Sequence, residues 1–168
     1  MATATEFSVT LVAIDDDPQN LELITSALTQ KGLKILTSTD PESGLELVLC
    51  KRPQIVLLDL VMPNLSGVDL LERIVEADPG MDVILMTAHY STESAVEAIQ
   101  KGACNYLNKP LAIDKLRQQV RKLVAAARKR QRALQLDREL LETFCFEGIV
   151  GRSPLMLDVF ALIRRVGP

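Results

Sequence analysis

The sequence predicts an α/β protein built on a doubly wound parallel sheet of five strands, and three observations point there. Short runs rich in Val, Ile and Leu alternate with amphipathic segments from residue 9 to about residue 125. The segments joining them are brief and rich in Asp, Pro, Gly and Ser. Each run is close to continuously apolar, as expected of strands covered on both faces. Parallel neighbours need right-handed crossovers, which puts helices on both sides of the sheet.

Val9–Ile14 reads as the first strand, followed by Asp15-Asp16-Asp17-Pro18. Asp17 suits the N-cap and Pro18 the first helical position, where a missing N–H is no loss. The first helix is expected to run to Gly32, with Leu21, Ile24 and Leu28 as its buried stripe. Leu33–Ser38 is the second strand, and Asp40-Pro41 repeats the cap-and-proline device for a helix that ends before Pro53. The third strand is Ile55–Asp59, followed by a loop around Pro63 and a helix over Val68–Ala77 that Pro79-Gly80 stops. Val83–Met86, ending in Thr87, is the fourth strand, and Ser91-Thr-Glu opens a helix that Gly102 closes. Cys104–Leu107 is the fifth strand, and a last helix starts near Ile113-Asp114. This alternation fits the flavodoxin-like strand order 2-1-3-4-5, in which strands 1 and 3 are neighbours at the switch point. An extended C-terminal helix completes the expected architecture.

At 168 residues and 48% apolar content, the chain has room for one domain with a sizeable core plus an appendage. No run approaches the ~18 apolar residues of a membrane span, and the first residues lack the pattern of a signal peptide, so a cytoplasmic location is expected. Cys50, Cys104 and Cys145 are far apart, lack C-x-x-C spacing and have one histidine between them, which argues for free thiols rather than a zinc site. Residues 1–111 hold 16 acids against 7 bases (net −9), and residues 112–168 hold 6 acids against 12 bases (net +6). An acidic body therefore carries a basic tail.

The chemistry-bearing residues fall where apolar runs stop. Asp15 and Asp16 end the first strand, Asp59 the third, Thr87 the fourth, and Lys109 follows the fifth. Open α/β sheets bind ligands at the carboxyl ends of their strands, so these side chains are expected in one crevice. Neighbouring carboxylates repel unless they share a cation. Oxygen ligands without nearby His or Cys favour a hard ion, and Mg2+ suits one or two carboxylates plus phosphate oxygens. Asp59 would then be a nucleophile toward phosphorus, with Lys109 and the Thr87 hydroxyl stabilising charge on the transferred oxygens. Pro110 would fix the turn that aims Lys109. His89, the sole histidine, sits in the loop above this crevice and reads as a solvated side chain rather than a proton carrier. Tyr106 is compatible with an ordinary core aromatic at a strand edge.

Taken together, Ile14-Asp15-Asp16-Asp17, Asp59-Leu-Val-Met-Pro-Asn-Leu-Ser-Gly67, Met86-Thr87-Ala88, Gly102-Ala103 and Tyr106-Leu-Asn-Lys109-Pro110 resemble the receiver domain of two-component response regulators. The resemblance implies that Asp59 accepts a phosphoryl group from a sensor histidine kinase. It implies Mg2+ held by Asp16, Asp59 and the Val61 carbonyl, with Asp15 acting through water, and Thr87 and Tyr106 as a switch pair. A haloacid dehalogenase-type phosphatase would need an acid two residues after its nucleophile, where Val61 stands. A flavin carrier would need a hydroxyl- and Gly-rich phosphate loop in place of three aspartates.

Lys115 to Arg132 contains eight bases and no acid. Its apolar positions Ile113, Leu116, Val120, Leu123 and Ala127 should pack on the sheet at first, and Leu134, Leu140, Leu141 and Phe144 continue an apolar face. The second half of so long a helix is expected to project and to pair in a two-helix coiled coil; nucleic-acid binding by the basic face is the rival reading. Residues 146–168, with Ser153-Pro154 opening an amphipathic helix, are similar to the start of the AAA+ ATPase domain in nitrogen-regulatory-type activators. The alternative is a C-terminal helix folded back on its own receiver.

The expected division is therefore a receiver at 8–125, a linker helix at 126–145 and an ATPase-domain stub at 146–168. In that family the receiver controls an ATPase ring acting on RNA polymerase, so DNA and polymerase contacts would belong to domains absent here. No G-x-x-x-x-G-K-[ST] loop occurs, which leaves the chain without ATPase chemistry of that kind. It is expected to be a non-enzymatic switch that dimerises through the linker helix, or through the face made by the fourth helix, fifth strand and last helix.

Overall fold

The computed structural model describes residues 8–63, 65–88, 92–146 and 149–150, with the single positions 153 and 156. The chain divides into two units, Met1–Arg128 and Lys129–Pro168.

In the first unit, β1 (Val9–Ile14) leads into α1 (Pro18–Leu28), then β2 (Leu33–Ser38), α2 (Pro41–Lys51) and β3 (Ile55–Asp59). A small hairpin follows, β4 (Val61–Met62) pairing antiparallel with β5 (Leu65–Ser66). After it come α3 (Gly67–Ala77), β6 (Asp82–Thr87), α4 (Thr92–Gln100), β7 (Asn105–Asn108) and α5 (Ile113–Phe144). Parallel pairing gives a five-stranded sheet of order β2-β1-β3-β6-β7, the order expected for this alternation. Asp17 and Asp40 cap α1 and α2 by accepting the Gln19 and Ser43 N–H groups, as their Asp-Pro pairs predict.

Besides one-residue extensions at the starts of α3 and β6, three details differ from the sequence expectation. The loop around Pro63 contains the β4–β5 hairpin. The first helix stops at Leu28 rather than Gly32 because Thr29 leaves helical geometry (ψ 116°), its N–H and hydroxyl both donating to the Thr25 carbonyl. Gly32 instead serves the turn into β2 at φ 76°. The fifth strand begins one residue later than expected, at Asn105.

The sheet separates two cores. Odd positions of β1 and β3 (Val9, Leu11, Ala13, Ile55, Leu57) pack with Leu21, Ile24 and Leu28 of α1 and Leu116, Val120, Val124 and Ala127 of α5. Even positions (Val12, Ile14, Val56, Leu58) pack with Leu45 and Val48 of α2, Leu70, Leu71 and Ile74 of α3, and Ala98 of α4. Fully burying each of these large side chains contributes about 1.5–3 kcal/mol. Two members of the basic stretch belong to this packing. Arg117 Nε donates to the Ala27 carbonyl at 2.8 Å, and Arg128 donates to those of Lys31 and Gly32. They satisfy carbonyls at and beyond the end of α1, the place where a helix dipole favours a cation.

In the second unit, β8 (Cys145–Phe146) and β9 (Ile149–Val150) form an antiparallel pair after α5. Ser153 Oγ accepts the Met156 N–H at 3.3 Å, the capping geometry its sequence suggests. The amphipathic helix expected after it lies outside the described residues, Met156 apart. Among the described residues, no helix is long and apolar enough to cross a membrane.

Candidate functional site

The site is built at the carboxyl ends of β1, β3, β6 and β7. Asp15 and Asp59 continue the odd-numbered alternation of their strands, and Lys109 continues that of Leu107, so all three belong to the α1–α5 side of the sheet. Thr87 continues the alternation of Val83 and Leu85 on the opposite side, the side that Tyr106 packs against. Asp15, Asp59 and Thr87 are buried, and Asp16 is exposed. Carboxylate oxygens of Asp15, Asp16 and Asp59 lie within 4.8 Å of one another, a group able to hold a metal ion.

Each buried acid is fixed by the turn after it. Asp15 Oδ1 accepts from the Asp17 N–H and from Asn20 Nδ2, both at 3.1 Å. Asp59 Oδ1 accepts from the Val61 N–H at 3.3 Å. The Asp59 backbone is held from behind, since Leu60 N–H donates to the Met86 carbonyl at 2.8 Å and Gly67 N–H to the Leu60 carbonyl at 3.0 Å. A Cβ on Gly67 would stand 2.3 Å from the Asp59 carbonyl oxygen, so only glycine allows α3 to start so close to the site.

Lys109 joins the two acids. Its Nζ lies 2.7 Å from Asp59 Oδ2 and 2.7 Å from Asp15 Oδ2. The Asp59 contact is a directed hydrogen bond. The Asp15 contact is a close ion pair without hydrogen-bond geometry, which leaves buried Asp15 Oδ2 with no directed donor. Backbone geometry aims this lysine. The Lys109 N–H donates to the Thr87 carbonyl at 2.6 Å, and the Lys109–Pro110 peptide is cis.

Burial raises the Asp59 carboxyl above the ordinary range; the hydrogen bond and charge of Lys109 oppose this, and the Asp15 charge adds to it. Burial pulls Lys109 down, but its pairing with Asp15 and Asp59 outweighs that and holds the ammonium above its usual value. The arrangement suits a divalent cation. It offers hard oxygen donors, excess negative charge and a buried carboxylate oxygen lacking a directed donor.

Residues 11–121 match the response regulator receiver domain family. The chain belongs to that family. Among the receiver's relatives, the transcriptional regulatory protein GlrR of Escherichia coli K12 is 34% identical over 156 residues, covering 93% of this chain and 33% of GlrR. The DNA-binding transcriptional regulator NtrC of the same strain is 34% identical over 155 residues, covering 91% of this chain and 32% of NtrC. The receiver chain thus spans about a third of the length of these relatives. The signal receiver domain of a LuxO-type repressor from Vibrio parahaemolyticus superposes with a TM-score of 0.71 at 28% identity, over 76% of this chain and 98% of that one. The beryllofluoride-activated DrrB receiver domain gives 0.65 at 26% identity, over 71% and 99%. The receiver is accordingly a module of two-component signalling.

Of the residues singled out from sequence, the receiver fold gathers Asp15, Asp16, Asp59 and Lys109 into one crevice, and Thr87 is buried at the end of β6, its carbonyl bonded to the Lys109 N–H. Tyr106 is half-buried on β7, opposite Leu85. His89 lies outside the described residues. Sequence reasoning missed Asn20 and the Lys109–Asp15 contact. Asn20 sits on the first turn of α1, where side chains often reach back past the cap, and that position was its available signal.

Proposed function

We propose that this receiver is a phosphoacceptor switch whose chemistry is centred on Asp59. An Asp59 carboxylate oxygen attacks the phosphorus of a phosphohistidine on a sensor histidine kinase. The new O–P bond forms as the N–P bond breaks, and the imidazole nitrogen leaves with the bonding pair. Asp16, Asp59 and the Val61 carbonyl would hold Mg2+, with Asp15 beside them; bound there, the ion supplies positive charge opposite the phosphoryl oxygens. Lys109 offers a second cation and the Thr87 hydroxyl a donor to the same oxygens. The observation that carries this reading is that three carboxylates lie within 4.8 Å of one another beside a half-buried lysine that bridges two of them, Asp15 and Asp59.

Thr87 and Tyr106 form the switch pair. They share one face of the sheet, so a hydroxyl drawn toward a new phosphoryl charge vacates space that the ring can fill. The response is read on the face of α4, β7 and α5, and through the pairing of linker helices at 126–145 in a homodimer. Alignments of 155 and 156 residues with NtrC and GlrR extend past the 11–121 match, which supports residues 146–168 as the opening of an AAA+ ATPase domain. The output is then control of a transcription-activating ATPase in the cytoplasm. The chain itself is a switch rather than a turnover enzyme.

The test is incubation with Mg2+ and acetyl phosphate or beryllofluoride, followed by intact mass and oligomeric state, beside Asp59→Asn. One added phosphoryl group on the parent and none on the variant is expected. A parent of unchanged mass and assembly under both reagents would overturn the reading.

A further inference from the structure

Asp15 holds its two carboxylate oxygens in different ways. Oδ1 is committed to two donors at 3.1 Å, the Asp17 N–H and the Asn20 side-chain amide. Oδ2 is buried, faces the Lys109 ammonium at 2.7 Å and has no directed hydrogen bond. A carboxylate with one oxygen pinned cannot rotate about its Cβ–Cγ bond without breaking both donor contacts. The pinned oxygen therefore decides where the other points.

The backbone donor comes with the turn. Any residue but proline at position 17 would supply it. Among the described residues the side-chain donor comes from Asn20 alone, on the first turn of α1 and half-buried. Asparagine is a poor choice there on helix propensity, since alanine is favoured at helical positions by several tenths of a kcal/mol. Its amide instead serves a buried charge in the preceding segment, and outer residues of this kind orient the groups around a metal.

Resting on the phosphoacceptor reading above, we infer that Asn20 is a positioning residue: its amide locks Asp15 Oδ1 so that Oδ2 is presented to the cation site and to Lys109. Asn20 touches neither the phosphoryl group nor the metal. It acts through Asp15.

The test is Mg2+ affinity by titration calorimetry on the full chain and on Asn20→Ala and Asn20→Gln, with thermal midpoints recorded in EDTA. Asn20→Ala is expected to weaken Mg2+ binding by 10-fold or more, within the range of about 10–100-fold for residues that orient metal ligands. Its metal-free midpoint should fall only modestly, because the helix propensity of alanine offsets part of the lost hydrogen bond to the buried carboxylate. Asn20→Gln, which keeps the amide donor, should recover most of the affinity. An Ala variant within twofold of the parent overturns the role. So does a Gln variant as weak as Ala, which would assign the loss to helix packing. A parent that binds no Mg2+ overturns the phosphoacceptor reading itself, and this role with it. A parent that binds Mg2+ and becomes phosphorylated while Asn20→Ala binds equally well leaves that reading standing and removes only this one.

Discussion

Lys109 Nζ sits 2.7 Å from Asp59 Oδ2 across a separation of 50 residues, and the same nitrogen is 2.7 Å from Asp15. Replacing it by Met leaves two buried carboxylates without their shared cation. A fully buried broken pair costs about 3–5 kcal/mol. Solvent reaches Lys109 and Asp59 can take up a proton, so about 2 kcal/mol is expected from urea denaturation of Lys109→Met in EDTA. Labelling by acetyl phosphate should slow by roughly 100-fold, the usual effect of removing one charge-stabilising donor. Parental stability together with a parental labelling rate would refute the bridging role.

The raised Asp59 carboxyl sets a pH dependence. In the folded chain this group keeps its proton to a higher pH than in the unfolded chain, so folding is progressively penalised as pH rises from the ordinary carboxyl value of 3.8 toward the raised one. Asp59→Asn removes that penalty. Without metal, the variant should therefore melt above the parent at pH 7, with a gap that shrinks as pH falls through this window. Lys109, raised by the same pairing, contributes stability below its unfolded value of 10.5 that is lost as pH climbs through the folded one. The alkaline loss should be smaller in Asp59→Asn. Thermal melts across pH check both limbs, and a gap that widens on acidification would contradict the assignment.

Mg2+ should raise the thermal midpoint. At 100 times its dissociation constant, a ligand that binds only the folded state contributes about 2.7 kcal/mol, or roughly 5–10 °C for a chain of this size. Chelation with EDTA should reverse the shift. Asp16 is exposed, so Asp16→Asn is expected to abolish the shift while leaving the metal-free midpoint within about 1 °C, a surface substitution by ordinary standards. A full Mg2+ shift in that variant would remove Asp16 from the site.

Gly67→Ala separates local propensity from tertiary fit. Gly67 opens α3, where alanine would ordinarily help. Here the added carbon meets the Asp59 carbonyl oxygen at 2.3 Å and Leu60 Cα at 2.6 Å, both backbone atoms. A loss of about 2–3 kcal/mol and slower labelling at Asp59 are expected from denaturation and mass spectrometry. A stabilised variant would show that this contact relaxes freely.

Most of the fold could be read from sequence because each strand is a short apolar block bounded by Asp, Pro or Gly. The crevice was legible for a related reason. Once β1 and β3 are neighbours, Asp15 and Asp59 end adjacent strands, and their convergence follows from register. What escaped depends on side-chain reach. Asn20 looks like any polar residue on an exposed helix turn until Asp15 is seen 3.1 Å away. Arg117 and Arg128 are indistinguishable in sequence from their neighbours in the basic run, yet they bind carbonyls some 90 or more residues earlier in the chain. The β4–β5 hairpin, two residues per strand, is too short for any periodicity to register. The early end of α1 turned on the backbone of Thr29, which turns extended while its N–H and hydroxyl both donate to the Thr25 carbonyl.

The 2.6 Å bond from the Lys109 N–H to the Thr87 carbonyl means that the ammonium and the hydroxyl of the crevice hang from coupled peptides. Neither can be retuned alone. A displacement of the Thr87 peptide would be handed to the lysine as a gear hands on rotation, so the strand end that carries the hydroxyl also sets the aim of the neighbouring positive charge.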